Sequence, residues 1–476
     1  MTISGPERTA VLTRLAPYLE SWIAFQGAYR GTVGIQAALR VDDAVVLDTA
    51  WGTADIDTGE ALTTGHLFRI ASHSKTMTAT AVLQLVEQGS LRLDDALETW
   101  VPELTGTALA RVTLRALLGH NAGVIRDGVD NDFWQRGGEF LDRESLLEEA
   151  RTNGAVYEVD EYFKYSNVGY SLLGLAIEAA SGLPYNDYVR TNIVEQLGLV
   201  DSGPEYEPRR SPEYAAGHTG LTAADDRRWR IEHVDTRAMA AATGWFSTAV
   251  ELTSYGAAHW FGDDTLVSDA SKRLLQRQET VVKAHDRELG RYGLGFELRT
   301  VGARELVGHS GGYPGHITRT WIDPDDALVL SVLTNAIDGP ADSLATGILQ
   351  LIEIALSATI EKVHDPENLA RYTGRFANMW GVTDIVEMGG RLVSINPRSP
   401  EPASAHQFLE IISEDEVIAE RGPGFGATGE QARFNRNDDD EILSVSLGGP
   451  TMWPIETYRR ALASGRPGET LGKMSL

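Results

Sequence analysis

The 476-residue chain contains no cysteine, which excludes disulfides, thiolate metal sites and a cysteine nucleophile together. Lysine is scarce, with six in the whole chain. No apolar run approaches the ~20 residues that span a bilayer. The N-terminus, Met1-Thr-Ile-Ser-Gly-Pro-Glu-Arg8, lacks the basic stretch and apolar core of a secretory signal, so residence in the cytoplasm is expected. Positive charge is also in deficit: 42 Lys and Arg against 68 Asp and Glu give a formal net charge of −26. Such a surface repels phosphate backbones and anionic lipid, so neither nucleic acid nor membrane is expected as a partner. The eleven histidines are scattered, and none forms a His-x-x-x-His pair with a glutamate beside it. The acidic runs Asp438-Asp-Asp-Glu441 and Asp225-Asp226 lack the alternating oxygen ligands and glycine turn of a calcium loop. No metal or cofactor is expected.

What is present is an ordinary globular composition, 42% hydrophobic and 23% charged, in a chain too long for one core. An amphipathic helix is predicted over 7–27, kinked or split at Pro17, with Leu12, Leu15, Leu19 and Ile23 on one stripe. A hairpin follows around Val41-Asp-Asp-Ala44. Residues 129–142 read as an aromatic-containing loop, and helical patterns occupy 143–152, 168–181, 184–197, 248–259 and 268–279. From 291 to 335 the pattern turns to strands, closed by a long helix over about 340–361. A sheet formed from distant segments, with a helical middle, describes an α/β lobe plus an all-α lobe. A boundary is predicted at His364-Asp-Pro-Glu-Asn368. Beyond it, seven short strand candidates separated by Gly, Pro, Asn and Asp indicate a small β-barrel or sandwich. The expected domains are therefore 1–363 and 364–476.

Among the six lysines, only Lys75 has a serine three residues before it. In Ser72-His-Ser-Lys75, a spacing near one helical turn sets hydroxyl and amine on one face, at the start of a helix-compatible segment running to Gly89. A hydroxyl becomes a competent nucleophile when a neighbouring base removes its proton, and a helix N-terminus favours a developing oxyanion. The pattern alone equally describes a helix cap beside a surface lysine. Two further motifs supply what it lacks. Tyr165-Ser-Asn167 offers a phenol that can shuttle a proton and a carboxamide that can orient Lys75. Gly308-His309-Ser310-Gly311-Gly312, at the end of a strand, offers backbone N–H groups to a substrate oxygen. His218-Thr-Gly220 repeats the His-x-Gly form, but in a proline-rich loop region with no strand before it.

Ser72-x-x-Lys75, Tyr165-x-Asn167 and His309-x-Gly311, in that order, resemble the motifs of the penicillin-recognising serine hydrolase family, which includes class C β-lactamases, DD-peptidases, D-aminopeptidases and family VIII esterases. Leu117-Leu-Gly-His-Asn-Ala-Gly123, Thr243-Gly-Trp-Phe-Ser-Thr248 and Gly311-Gly-Tyr-Pro-Gly315 extend the resemblance, which covers about residues 10–360. Residues 365–476 more loosely resemble lipocalin-like β-barrels attached to some relatives. The resemblance implies a β-lactamase/transpeptidase-like α/β fold, an antiparallel sheet flanked by helices plus an all-α lobe, followed by a small all-β barrel. It implies that Ser72 attacks a carbonyl while Lys75 and Tyr165 manage the proton. Asn167, His309, Ser310, Gly311 and Gly312 would bind substrate, with the Ser72 and Gly312 N–H groups holding the oxyanion. Lys75 or Tyr165 must then lose a proton near neutral pH, against ordinary values of ~10.

This chain departs from the lactamase pattern where Lys-Thr-Gly becomes His309-Ser310-Gly311. A fixed ammonium suits a substrate carboxylate; a histidine is mostly neutral at pH 7. That favours amides, peptides with a free amino end, or esters over penicillins, and His-x-Gly is the form of D-aminopeptidase-like and esterase relatives. Amide or peptide cleavage in the manner of D-aminopeptidases and amidases is the first expectation. An esterase and a DD-carboxypeptidase or β-lactamase are the alternatives, and a non-catalytic binding protein is the alternative of a different class. The expected partner is a small-molecule or short-peptide substrate. The barrel is open to ligand binding, homo-oligomerisation or gating of the cleft. His316 is either a pocket residue or an ordinary strand histidine. An α/β-hydrolase reading, with Ser310 in Gly308-x-Ser-x-Gly312, requires a helix directly after the serine, where Tyr313-Pro-Gly315 and a strand pattern follow instead.

Overall fold

The strand patterns between Gly34 and Thr334 come together as one nine-stranded antiparallel sheet in the computed structural model, which describes residues 4–221, 227–360, 366–421, 427–465 and 471. Its order runs Glu60–Ala61, Ala44–Asp55, Gly34–Val41, Leu328–Thr334, His316–Asp323, Arg304–Tyr313, Glu297–Val301, Arg287–Tyr292, Thr280–Ala284. The expected hairpin turns at Asp42, whose φ is +51°. The first hairpin strand pairs with Leu328–Thr334 from nearly 300 residues later, so the sheet closes only once most of the chain is in place. Its central strand Leu328–Thr334 is buried throughout, as a continuous Leu/Val run demands.

Inserted between the strands is the helical lobe. Its axis is the helix Ser74–Glu87, packed against Asn167–Ser181 and Ala240–Thr243. Residues 74 to 85 of this helix are all buried, so it has no solvent face. Its threonines are satisfied internally: Thr78 donates to the Ala241 carbonyl at 2.7 Å and Thr80 to the Thr76 carbonyl at 2.9 Å.

Chain contacts divide the protein into two compact units, Gly31–Ala345 and Met1–Arg30 with Thr346–Leu476. The second unit contains an eight-stranded antiparallel sheet spanning Gly374 to Pro454. A bridge between Val445 and Met452 brings its ends together into a nearly closed barrel. The helix Gly5–Arg30 belongs to this unit, joined to the barrel by Tyr18 donating to Asp384 at 3.1 Å and by Gln26 donating to the Pro397 carbonyl at 2.5 Å. The boundary expected at 363/364 falls in 361–365, and Asp225-Asp226 in 222–226; both lie outside the described residues.

Several elements differ from their sequence patterns. Pro17 does not split the first helix, which runs unbroken over 26 residues with Leu12, Leu15, Leu19 and Ile23 buried. Packing of that stripe outweighs the lost hydrogen bond. The predicted helix 268–279 stops at Gln276, and a hairpin, Thr280–Ala284 with Arg287–Tyr292, follows instead. It is a largely solvent-facing edge whose charges mask the period of two. An eighth barrel strand, Trp453–Pro454, is only two residues long, too short to carry a pattern. The helix Ala341–Ile360 is, by length and composition, long and apolar enough to cross a membrane, contrary to the expectation of no such run; most of it is buried inside the protein.

Candidate active site

Ser72 does not open the long helix as its spacing suggests. It lies in a short 3-10 turn, Ala71–His73, that feeds directly into Ser74–Glu87. The turn begins with Ala71 at φ +46°, an unusual conformation for a residue with a Cβ. Ala71 is buried in a cluster with Phe133, Phe140, Met239 and Tyr313, so the predicted aromatic loop 129–142 supports the turn. The Ser74 hydroxyl donates to the Ala71 carbonyl at 2.5 Å, and the Ile70 N–H donates to the Trp245 carbonyl at 2.9 Å. Beneath, His73 is fixed by Thr320 at 2.9 Å, and burial lowers its pKa to about 3.

One turn on, Lys75 is fully buried. Its Nζ lies 3.3 Å from Ser72 Oγ, 2.6 Å from Asn167 Oδ1 and 2.9 Å from the Ala242 carbonyl. Burial pushes the amine well below its ordinary range, Asp127 opposes this, and Arg126 adds to it. A neutral amine has two N–H donors and one lone pair. Asn167 and Ala242 accept two N–H donors and Ser72 Oγ takes the third position, which in the neutral amine is the lone pair.

Tyr165 precedes the helix Asn167–Ser181, whose cap is the Ser166 hydroxyl accepting from Gly169 N–H at 2.7 Å. Both neighbours of Tyr165 are tied to His120: Lys164 N–H donates to its carbonyl at 2.7 Å and Ser166 N–H to its Nδ1 at 3.2 Å. The His120 ring lies 4.4 Å from that of Tyr165. Burial holds this imidazole neutral, far below its ordinary value. The Tyr165 hydroxyl bonds to Ser72, and burial raises the phenol well above its usual value despite that bond. Of the two groups expected to share the proton, Lys75 is the one whose environment removes a charge, and Tyr165 keeps its proton.

Asn167 is oriented from behind. Its Nδ2 donates to Asp127 Oδ1 at 2.6 Å, and Asp127 also accepts from Trp134 Nε1 at 3.0 Å and pairs with Arg126 at 3.0 Å. With Nδ2 engaged there, Oδ1 must face Lys75.

The opposite wall is the end of the strand Arg304–Tyr313. A Cβ on Gly311 would collide with the Ile70 carbonyl, so glycine lets this strand lie against the serine turn. The neighbouring strand pairs only as far as Gly308, opposite Glu297, which leaves the next residues' edge open. Ser310 N–H points toward Glu297 on that edge, at 3.4 Å. Alternation along a strand sends the Gly312 N–H the same way. The Ser310 hydroxyl donates to Glu297 at 2.8 Å.

Ser72, Tyr165, Asn167, Ser310 and Gly312, with Arg126, Trp134 and Glu297, line one cleft of about 400 Å³. Lys75, His309 and Gly311 lie behind its walls. The His309 ring turns away, with Nδ1 at 2.6 Å from the Ser310 carbonyl and Nε2 at 3.0 Å from the Tyr292 hydroxyl. Burial lowers its pKa to about 4, so this corner carries no cation from the ring. His316 is an interior strand histidine between the Arg69 N–H and the Ala215 carbonyl, at 3.0 and 3.1 Å. His218 is likewise buried, 2.8 Å from the Asn335 carbonyl. Ser310 sits mid-strand with no helix after it, against a nucleophile elbow. Sequence reasoning missed Asp127, Glu297, the Ala242 carbonyl and the part played by His120. Only His120 stood in a segment already singled out.

Residues 19–352 match the Beta-lactamase family. The chain is 29% identical over 301 residues to penicillin-binding protein 4* of Bacillus subtilis, covering 60% of this chain and 64% of that protein. It is 27% identical over 408 residues to a D-aminopeptidase of Brucella anthropi, covering 82% of this chain and 71% of the relative. Among solved structures, the octameric penicillin-binding protein homologue of Pyrococcus abyssi superposes with a TM-score of 0.62 at 23% identity, over 92% of this chain and 99% of that one.

Proposed function

The chain belongs to the Beta-lactamase family, whose members are serine hydrolases, and we propose that it cleaves amide or peptide bonds of amino-acid derivatives through an acyl-enzyme on Ser72. The observation that carries this reading is Lys75, buried, 3.3 Å from Ser72 Oγ, with its other two polar neighbours already accepting. Ser72 attacks the carbonyl carbon as its proton passes to the neutral Lys75 amine. The negative charge that develops on the carbonyl oxygen meets the N–H groups of Ser72 and Gly312. Collapse of the tetrahedral intermediate breaks the C–N bond. Tyr165, which retains its proton and is bonded to Ser72, donates to the departing nitrogen and is reprotonated from Lys75. Water then attacks the ester, again giving up its proton to Lys75, and Ser72 leaves with a proton returned.

Two observations support an amide rather than a penicillin. The corner of the cleft beside Ser310 holds a neutral His309 and the Glu297 carboxylate in place of a fixed ammonium. The D-aminopeptidase of Brucella anthropi is also similar over 82% of this chain, against 60% for penicillin-binding protein 4*. Intact-mass measurement of acylation tests the reading across D- and L-amino-acid amides, short esters and a cephalosporin. Wild type should gain an acyl mass from amides, and Ser72→Ala none. Rapid cephalosporin turnover, or labelling lost in Ser310→Ala and retained in Ser72→Ala, would overturn it.

A further inference from the structure

Beside the serine cleft lies a second cavity of about 470 Å³, and the two share Tyr165 and Glu297. The second cavity is lined by the apolar and aromatic side chains Phe163, Leu289, Leu298 and Trp321 and by three arginines, each paired with a carboxylate: Arg291 with Glu305, Arg299 with Asp342 and Arg319 with Glu297. Glu297 stands at the junction, its side chain 27% exposed. We propose that Glu297 is a specificity-determining residue, its carboxylate receiving the protonated amine of an amino-acid derivative whose apolar side chain enters the adjoining cavity; this rests on Ser72 as the acyl acceptor.

The charges around Glu297 set the sign of this corner. Its carboxylate accepts from the Ser310 hydroxyl at 2.8 Å and the Ser310 N–H at 3.4 Å, pairs with Arg319, and lies 3.6 Å from His309 Nδ1. Arg319 is shared, since its Nε also lies 2.9 Å from Asp342, which in turn takes Arg299 at 2.9 Å. Two guanidiniums and two carboxylates therefore cancel, and a neutral His309 adds nothing. Burial raises the Glu297 carboxyl, but Arg319, joined by His309 once that ring is protonated at acid pH, holds it down at about 2, so it is ionised throughout the working range. Roughly four lone-pair directions are available on a carboxylate, and the Ser310 hydroxyl, the Ser310 N–H and Arg319 fill three. Glu297 lines both the cleft and the cavity, where it is the carboxylate that an arriving ammonium would meet. The other charged group lining the serine cleft, Arg126, is paired with Asp127 at 3.0 Å. An amino-acid derivative carries its amine one carbon from the attacked carbonyl and its side chain on that same carbon. A site with nucleophile, carboxylate and apolar cavity in series matches that arrangement.

The test is protection of Ser72 from a fluorophosphonate in the full-length chain, read by intact mass. Phenethylamine and 2-phenylethanol serve as competitors that share ring and chain and differ in a charged amine against a neutral hydroxyl. Protection is expressed as a ratio within each variant, so changes in basal labelling cancel. Wild type should favour the free amine by about tenfold or more, the size of a charge-assisted hydrogen bond. Glu297→Gln should bring the ratio to about one. Arg319→Gln breaks the same ion pair but keeps the carboxylate, and should preserve or increase the preference; a merely structural role for Glu297 predicts that both variants lose it. A wild-type ratio near one, or a preference that survives Glu297→Gln, overturns the proposal while leaving Ser72 as nucleophile. Labelling that misses Ser72 overturns the reading of the nucleophile and this proposal with it.

Discussion

The barrel and the serine cleft are both buried, and they use burial in opposite ways. Inside the barrel, Leu369, Phe376, Leu392, Val417, Phe434 and Val445 form a core of apolar side chains, and removing them from water stabilises that unit directly. A charged group buried there, Asp384, is satisfied by Arg375 at 2.7 and 2.8 Å and by Tyr18. Around Ser72 the buried titratable side chains include Lys75, His73, His120 and His309. Their burial costs stability and shifts proton affinities, which is the use the chemistry makes of it. A strained Ala71 adds to that cost. Burial in one unit holds a shape; in the other it holds a protonation state.

This contrast can be broken by substitution, beginning where the effect is largest. Ser72→Ala should lower amide hydrolysis by on the order of 10⁴-fold or more with little change in thermal stability. Lys75→Met should cost about 10²–10⁴-fold in acylation rate and abolish the acid limb of its pH profile, as stopped-flow labelling would report. Phe434→Ala should do the reverse, losing about 3–5 kcal/mol of barrel stability in denaturant titrations while the pH midpoint of Ser72 acylation stays fixed. A moved midpoint would mean that the two uses of burial are not separate. Asp127→Asn should be smallest, about ten- to a hundredfold in kcat. It leaves Asn167 without its anionic partner and free to turn its Nδ2 toward Lys75. Because Asp127 opposes the lowering of the Lys75 pKa, its loss should also move the acid limb of the profile to lower pH. An unshifted limb would remove Asp127 from the account.

The contrast also explains what the sequence made legible. Ser72 and Lys75 were readable because three residues of spacing is a local fact, and Asn167 because it stands two residues after Tyr165 in a Tyr-x-Asn motif. The barrel strand Arg391–Ile395 was readable to the residue, since apolar alternation between turns is local too. Asp127 meets Asn167 across 40 residues, and the Ala242 carbonyl meets Lys75 across 167; neither has a pattern of its own. Glu297 was hidden as the first residue of a strand, indistinguishable there from a surface glutamate. His309 was found as part of a motif, but the direction of its ring, toward Tyr292 and away from the cleft, is decided by tertiary packing. The hairpin 280–292 escaped because its charged outward face carries no apolar period.

The central claim is that burial delivers Lys75 as a neutral amine to Ser72. It is tested most directly by the rate of Ser72 acylation against pH, measured by intact mass on the full-length chain. The expected rate rises with pH through the depressed amine pKa, levels off well below 10.5 and stays level through pH 10.5, because burial raises the Tyr165 phenol well above its ordinary value. A rate still climbing at pH 10.5, or an acyl group found on a residue other than Ser72, would contradict it.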